Sequence, residues 1–456
     1  MRVVDRAIIN TNSELYTYLR HNAELAKLLY NAALFRIRQI FTGWDKEKRT
    51  ANEQGVFTEL EILHKKYPVV KVKRVIGYSH LLKLMIATKN PDYYAGLPMQ
   101  TAEAVVKQAC QDFKNWLAAL KDYKQNKDKY TGKPRMPQYK KEPVCTYTFT
   151  NQDAVLYEQT TGSELKLPLT KIRYKLPHIR AYSVLKEVKV TPYYGRFVLF
   201  LTFETETAKQ NSEMPNFASI DFGTDNIAAI VCTDCTSRLY KGGAVLSENQ
   251  WFAKEKARLT GILTKGKTNT GAFSKQLENK SFHHANFIQD QMHKISRSII
   301  DFCLEHKADT LVLGVNKNWK QESDMGRVSN QKFVSVPHTK LRQMIEYKAA
   351  MAGITVVEQE ESYTSKADFI AGDFIPVYGQ IDKNTVPVFS ERRIKRGLYK
   401  SGNGMIINAD LNGAANILRK AIPAAWEGTK DCSFLASPDV SGFHELNPRK
   451  VFRSNG

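Results

Sequence analysis

The chain has 456 residues, a length that exceeds one compact core and indicates about two to four domains. Its formal net charge is +21 and 42% of its residues are hydrophobic, so we expect a globular protein with a polyanionic partner rather than a disordered basic tail. No apolar run of roughly 18 residues occurs and the first residues do not resemble a signal peptide, which predicts a cytoplasmic protein without a membrane partner.

The N-terminal part of the chain has the pattern of one strand followed by helices. Residues 2–9 are predicted to form the strand. Thr11 and Glu14 match the capping-box pattern and predict that a long helix begins there. Apolar periodicity predicts further helices near 79–89 and 101–121. A helical lobe inserted after one strand is therefore expected.

A basic segment follows over 121–141, where Lys and Arg outnumber the acidic residues and tyrosines are interleaved. Such a segment can contact phosphates while its aromatic rings stack on bases, although a solvated basic loop has the same composition. The candidate nucleic-acid-binding residues are Lys133, Arg135, Tyr139, Lys140 and Lys141.

Short apolar runs separated by Pro, Gly and charged residues then predict a β-rich region. The predicted strands cover 145–151, 154–158, 164–167, 179–190 and 196–206. Together with the first strand, they predict a small β-barrel.

The stretch 217–231 contains an apolar run that ends at Asp221, a turn at Gly223 and a second apolar run. A carboxylate in an otherwise buried strand is costly unless something pairs with it, and a divalent metal is the usual partner. An aspartate that caps its own turn is the alternative.

A second stretch, 406–420, places Asp410 immediately before a helical pattern rich in small residues. Small residues allow a helix to pack closely on a sheet, and the positive end of the helix dipole favours a carboxylate and its metal. Asp221 and Asp410 can therefore share a metal site although they are far apart in the sequence.

The elements after 215 follow the RNase H order of three strands, helix, strand, helix, strand and helix. The predicted strands are 217–221, 227–233, about 238–245, 310–315 and 354–357, and the predicted helices include 273–306 and 340–352. This order predicts a mixed sheet covered by helices.

Two motifs resemble the first and third motifs of the RuvC-like nuclease of TnpB proteins. They are Ile-Asp-Phe-Gly at 220–223 with Asp225-Asn226, and Asn-Ala-Asp-x-Asn-Gly-Ala-x-Asn-Ile at 408–417. TnpB proteins are RNA-guided DNA nucleases of bacterial insertion sequences, related to the compact type V CRISPR effectors. The segment Gly-Lys-Pro-Arg-Met-Pro-Gln-Tyr-Lys at 132–140 is also similar to one in that family.

The resemblance implies an α+β multidomain protein in which a β-barrel wedge domain with an inserted helical lobe precedes an RNase H-like (RuvC) nuclease domain with a basic insert. The expected domains are the wedge (1–10 and 143–210), the helical recognition lobe (11–142), the nuclease (211–364 and 405–424), a target-nucleic-acid-binding insert (365–404) and a mobile tail (425–456).

Gly314 stands where the resemblance implies the glutamate of the second motif. Because glycine cannot bind a metal, either the nuclease is inactive or another acid replaces that glutamate, as a subset of TnpB-like proteins with similar sequences implies. The next strand offers Glu358, Glu360 and Glu361, and strand parity does not choose among them if the strand ends there. We favour Glu361, with Glu360 as its substitute; a solvated acidic strand end is the alternative.

The insert lacks the two Cys-x-x-Cys pairs that hold a zinc ribbon in typical family members, so a basic insert without zinc is expected. Cys232 and Cys235 have zinc-knuckle spacing, but no second pair occurs at comparable spacing. The candidate nucleic-acid-binding residues of the insert are Lys366, Arg392, Arg393, Lys395 and Arg396.

The resemblance implies a transposon-associated, RNA-guided DNA endonuclease that cuts by two-metal-ion chemistry at a guide-complementary target beside a short motif. Asp221, Glu361 and Asp410 would bind Mg²⁺, with Mn²⁺ as a substitute. The partners would be a guide RNA from the protein's own locus and double-stranded DNA. Two alternatives remain, a nuclease-inactive RNA-guided repressor and an unguided RuvC-like resolvase or transposase, although the long lobes before the nuclease disfavour the latter.

Overall fold

The computed structural model describes residues 2–159, 162–176, 184–206, 215–266, 274–315, 336–377, 387–395 and 397–448. The chain divides into two units, Met1–Glu206 and Thr207–Gly456. Of the helices in these ranges, none combines the length and apolar character that crossing a bilayer requires.

The N-terminal unit contains helices between its first and second strands, as predicted. Its elements are β1 (Arg2–Ile9), α1 (Glu14–Gly43), α2 (Ala51–Lys66), α3 (Tyr78–Ala87), α4 (Met99–Gln125), β2 (Tyr147–Thr150), β3 (Val155–Gln159), β4 (Gly162–Lys166), β5 (Arg173–Leu176), β6 (Val184–Tyr193) and β7 (Arg196–Glu204). Two antiparallel sheets, in the orders β1-β7-β6-β2 and β3-β4-β5, share one hydrophobic core with the helices. Closure of the strands into a barrel stays a prediction.

The predicted capping box at Thr11 was wrong in its detail. Helix α1 does begin at Glu14, but its N-cap is Ser13, whose side chain makes no capping hydrogen bond. A capping box forms instead at α2, a helix that we did not predict, where Glu53 N donates to Thr50 Oγ1 and Thr50 N donates to Glu53 Oε2 at 2.9 Å. The Thr-x-x-Glu signal was present there, but the apolar face of α2 is narrow.

The C-terminal unit is built on a six-stranded sheet. Its elements are β8 (Asn216–Asp221), β9 (Asn226–Cys232), β10 (Thr236–Lys241), α5 (Gly243–Thr264), α6 (Lys275–Glu305), β11 (Ala308–Val315), α7 (His338–Ala352), β12 (Thr355–Glu360), β13 (Arg393–Lys395), β14 (Leu398–Lys400), β15 (Ile406–Asn408), α8 (Ala409–Ala421), β16 (Asp439–Ser441) and α9 (Phe443–Leu446). The sheet order is β12-β11-β8-β9-β10-β16. Strand β11 is parallel to β8 and β12, and β9 is antiparallel to both of its neighbours.

The third strand along the chain of this sheet, β10, ends at Lys241 rather than at the predicted residue 245, and α5 begins at Gly243. Gly242 lies between them in a tight turn, where its N–H donates to Asp225 O at 2.8 Å. A Cβ at Gly242 would lie 2.4 Å from Thr224 O, so a side chain there would collide with backbone.

Helices cover both faces of the sheet, and strand alternation assigns residues to each face. Ile220 of β8 and Leu313 of β11 pack with α6 and α7, whereas Val312 packs with α8. Asp221 and Gly314 follow Ile220 and Leu313, so they lie on the α8 face.

The mobile tail predicted for 425–456 was wrong over the part that the structure describes. Strand β16 pairs in parallel with β10, and Phe434 and Leu435 are buried against the sheet. Trp426 stacks on Phe434 with ring centroids 5.6 Å apart. These apolar residues are too scattered for a sequence period, so the pattern did not reveal them. Residues 449–456 lie outside the described residues.

Candidate active site

Helix α8 packs closely on the sheet and presents its first turn to Asp221. Asn408 is the N-cap, and its Oδ1 accepts hydrogen bonds from Asp410 N at 3.0 Å and Leu411 N at 3.2 Å. The prediction that Asp410 lies at a helix N-terminus is therefore confirmed. Ser219 Oγ on β8 donates to Ala414 O at 2.7 Å and joins the strand to the helix.

Asp221 lies at the end of β8 against Gly413 of α8. A Cβ at Gly413 would lie 2.5 Å from Asp221 Oδ2, so only glycine leaves room for this carboxylate. The pKa of Asp221 is raised well above its usual value, first by burial and then by the negative charges of Glu361 and Asp410, with Arg393 opposing them. The structure thus brings the three predicted carboxylates into one electrostatic environment.

Glu361 follows directly after β12, and its N–H donates to Val315 O at 3.3 Å. Its Oε2 is buried and has no hydrogen-bond partner among the described residues. A Cβ at Gly314 would lie 3.0 Å from this same oxygen, which means that Glu361 uses space left open by glycine. Burial and the nearby charge of Glu360 raise the pKa of Glu361 to about 7.

The other two candidate glutamates have different surroundings. Glu360 Oε2 is 2.7 Å from the ammonium of Lys420, and its Oε1 accepts from Ser362 N at 2.7 Å. Burial alone would raise the pKa of Glu360, but these contacts hold it below its usual value. Glu358 has an exposed side chain 3.6 Å from Arg342 of α7, on the opposite face of the sheet. Glu358 and Asp221 therefore lie on opposite faces of the sheet.

Two further residues contact Asp410. Asn226, the first residue of β9, donates from Nδ2 to Asp410 Oδ2 at 2.7 Å. Arg393 Nη2 lies 3.5 Å from Asp410 Oδ1. From the sequence, we predicted no individual role for Asn226 and only nucleic-acid binding for Arg393. The sequence did contain one signal for Asn226, which is an amide side chain placed directly after the turn that follows Asp221.

The basic segment between α4 and β2 contacts α1. Asn31 brackets Lys140, accepting from its N–H at 2.8 Å and donating to its carbonyl at 3.0 Å. The guanidinium of Arg38 stacks 4.9 Å from the ring centre of Tyr139, so one face of this ring is already covered. The five candidate residues Lys133, Arg135, Tyr139, Lys140 and Lys141 are all exposed.

The insert contributes β13 and β14 to a small antiparallel sheet that β15 completes. Lys366, Arg392, Arg393 and Lys395 are exposed, and Arg396 lies outside the described residues. Buried Asp368 holds the insert together, since its carboxylate accepts from Ser401 Oγ, Gly402 N and Ile370 N at 2.7 to 3.0 Å.

The donor set suits a hard divalent cation. Burial and mutual repulsion raise the pKa of such carboxylates, and a cation between them would stabilise their charged forms. The buried Oε2 of Glu361 has no hydrogen-bond partner in the described structure. Within the described ranges, no group of three or more His, Cys, Asp or Glu side chains is already gathered closely enough to hold an ion.

Comparisons with known proteins give a consistent assignment. A family model described as "Probable transposase" (OrfB_IS605) matches residues 200–320, and the model "Cas12f1-like, TNB domain" matches residues 338–417. The TnpB-like protein ORF457 of Acidianus two-tailed virus is 28% identical over 211 residues, which are 45% of this chain and 42% of the relative. The CRISPR-associated endodeoxyribonuclease Cas12f2 of Micrarchaeota archaeon is 25% identical over 256 residues, 52% of this chain and 42% of the relative.

A solved Cas12f1–sgRNA–target DNA complex shares the fold, with a TM-score of 0.51 at 13% identity over 89% of this chain and 82% of that one. The matched stretches span less than half the length of either curated relative. The six-stranded mixed sheet and its covering helices are consistent with a RuvC-containing fold. The two family models and the two relatives support the assignment of this chain to the TnpB family.

Proposed function

We propose that this protein is a transposon-associated, RNA-guided DNA endonuclease that hydrolyses phosphodiesters in its RuvC-like domain, at a guide-complementary target beside a short motif. The observation that carries the proposal is the buried, unpartnered Oε2 of Glu361, which lies beside Gly314 on the sheet face of Asp221. The names of the relatives add support, because one is an endodeoxyribonuclease and another is a complex with guide RNA and target DNA.

Asp221, Glu361 and Asp410 are the residues that would hold the metal in this proposal. Mg²⁺ prefers carboxylate oxygens, and Mn²⁺ takes similar ligands. Divalent ions bound by such carboxylates activate a water and stabilise the charge on the leaving oxygen.

Three neighbouring residues contact these carboxylates or the acid beside them. Asn226 occupies Oδ2 of Asp410 and fixes the orientation of that side chain. Lys420 neutralises Glu360 and so leaves Glu361 as the available acid on this strand end. The exposed guanidinium of Arg393 lies beside the carboxylates, where it suits the oxygens of a DNA phosphate.

The second candidate function is a guided DNA-binding repressor without nuclease activity. Gly314 favours it, because no carboxylate stands at the position of the usual second-motif acid. Both functions require a guide RNA and a DNA target, so cleavage separates them.

The test uses the full chain, RNA transcribed from its own locus and linear DNA that carries a matched target. We expect Asp221→Ala, Asp410→Ala and Glu361→Ala each to lower the cleavage rate by more than about 100-fold, because losing an outer partner of a metal ligand already costs roughly 10- to 100-fold. The matched control is Glu358→Ala, which removes an exposed acid from the same strand and should cut at nearly the wild-type rate.

Target binding, measured by gel shift, should remain close to wild type in all four variants. If Glu361→Ala cleaves at the wild-type rate, the assignment of Glu361 is wrong and Glu360 becomes the candidate. If the wild-type protein binds guided targets but cuts none with Mg²⁺ or Mn²⁺, the repressor function is correct.

A further inference from the structure

The turn after Glu361 is held by a residue of the helix that carries Asp410. Asn416 lies on α8 and is fully buried. Its Nδ2 donates to Thr364 O at 2.9 Å and to Ala367 O at 2.7 Å, and its Oδ1 accepts from Arg419 Nη2 at 2.8 Å. Both amide hydrogens and the amide oxygen therefore have partners.

Thr364 links these contacts to the backbone of Glu361. Its N–H donates to Glu361 O at 3.2 Å, and its Oγ1 donates to the same oxygen at 2.7 Å. Between them, Tyr363 has a φ of 66°, in the left-handed region that a tyrosine seldom adopts. Such a conformation costs roughly 1 to 3 kcal/mol and persists only where surrounding contacts impose it.

An asparagine in the interior of a helix is a poor choice on local grounds. Asparagine has low helix propensity, and burying its amide is costly unless every polar atom finds a partner. Arg419 of the same helix pairs with the amide oxygen of Asn416, but both amide hydrogens offset that cost through contacts with the turn. Helix stability therefore does not account for the residue, whereas placement of the turn does.

We propose that Asn416 is a positioning residue that directs Glu361 towards Asp221 by fixing the turn over 361–367. This inference rests on the proposed metal-dependent nuclease function. One helix then determines the positions of two of the three carboxylates, because α8 bears Asp410 in its first turn and holds the Glu361 turn through Asn416, just past its middle.

The test measures Mn²⁺ binding to the full chain without nucleic acid, by electron paramagnetic resonance. Asn416→Asp keeps the size of the side chain and the acceptor for Arg419 but loses both donors to the turn. We expect Mn²⁺ to bind about tenfold more weakly, the lower end of the usual cost of losing an outer partner of a metal ligand. Ile299→Ala is the control for reduced stability, because Ile299 of α6 is buried in the core on the opposite face of the sheet from α8. The Ile299→Ala protein should bind Mn²⁺ as the wild type does.

A double variant separates positioning from general loss of structure. If Asn416 acts through Glu361, then Asn416→Asp should cause no further loss of Mn²⁺ affinity in a Glu361→Gln background. Additive losses, wild-type binding by Asn416→Asp, or an equal loss in Ile299→Ala would each overturn the inference. Should Asn416→Asp fail to fold, Asn416→Ser replaces it in the same comparison.

Asp221→Asn distinguishes the failure of this inference from failure of the function on which it rests. If Asp221→Asn weakens Mn²⁺ binding and Asn416→Asp does not, only the positioning role is wrong. If Asp221→Asn and Glu361→Gln both bind Mn²⁺ as the wild type does, the metal site itself is wrong and both proposals fall.

Discussion

At the residue scale, two adjacent glutamates have opposite electrostatic surroundings. Glu360 is paired with Lys420 at 2.7 Å, whereas the buried Oε2 of Glu361 has no partner in the described structure. A buried carboxylate without a partner is costly in its charged form. The same feature that destabilises the metal-free protein therefore leaves Glu361 available for a cation.

We predict that Glu361→Gln stabilises the metal-free protein at high pH. The pKa of Glu361 is about 7, against 4.5 for an ordinary glutamate, so the native state resists ionisation as the pH rises from about 4.5 to 7. At pH 8 the full cost is present, and its removal should raise the free energy of unfolding by at most about 3 kcal/mol. At pH 4.5 and below, the wild type and the variant should be nearly equal.

Urea denaturation in EDTA at pH 4.5 and pH 8 measures this effect. Glu358→Gln is the control, because Glu358 has an exposed side chain and should change stability little at either pH. A Glu361→Gln protein that is less stable than the wild type at pH 8 would show that the carboxylate has a favourable partner in solution.

A second prediction concerns the space at Gly314. A Cβ there would lie 2.6 Å from Ile417 Cδ1, 3.0 Å from Glu361 Oε2 and 3.1 Å from Ile220 O. Gly314→Ala should therefore lower the free energy of unfolding by about 1 to 3 kcal/mol, as overpacking of a core does. Ile417→Val removes the nearest of these atoms, so the double variant should be more stable than Gly314→Ala alone. Additive losses in thermal denaturation would contradict this contact.

At the scale of elements, the insert depends on hydrogen bonds to one carboxylate. Asp368 is fully buried, and it accepts from the backbone of Ile370 and Gly402 and from the hydroxyl of Ser401. These contacts join the start of the insert to the β14–β15 connection. Hydrogen bonds to Asp368 are therefore present in the segment where the resemblance to TnpB proteins implies a zinc ribbon in typical members.

We predict that Asp368→Ala loosens the insert, whereas a chelator does not. Loss of the carboxylate leaves buried N–H groups unpaired, at roughly 1 to 3 kcal/mol for each group. Limited proteolysis should cut the Asp368→Ala protein faster within 365–404, and EDTA should leave the cutting rate of the wild type unchanged. Asp373→Asn is a milder control, because an amide oxygen can still accept from Ser390 N. Faster cutting of the wild type in EDTA, together with stoichiometric zinc in the protein, would contradict the prediction.

The elements of the nuclease were largely predictable, because strands β8, β9 and β11 contain continuous apolar runs and helix α6 has an apolar period. Asp221 and Asp410 were also predictable, since each lies in a local motif. The contacts of Asn226, Asn416 and Lys420 were not, because each joins segments distant in sequence. Short-range patterns do not encode such tertiary contacts.

At the scale of the whole molecule, positive charge is present in both units. The exposed basic segment 133–141 belongs to the first unit, and Arg392, Arg393 and Lys395 belong to the second. With a net charge of +21, the chain should attract polyanions over distances comparable to the Debye length, about 10 Å at 0.1 M salt. RNA binding should therefore not depend on the nuclease carboxylates.

The last prediction follows from that charge: the protein should purify with a structured RNA, and binding should weaken steeply with salt. A protein that contacts six to ten phosphates loses on the order of 10³-fold or more in affinity between 50 and 200 mM salt. Filter binding with RNA from the protein's own locus measures the salt dependence. Asp221→Ala is the control and should give the same slope, because it removes no phosphate-binding cation. An RNA-free protein that binds none of this RNA, or an affinity nearly independent of salt, would contradict the prediction.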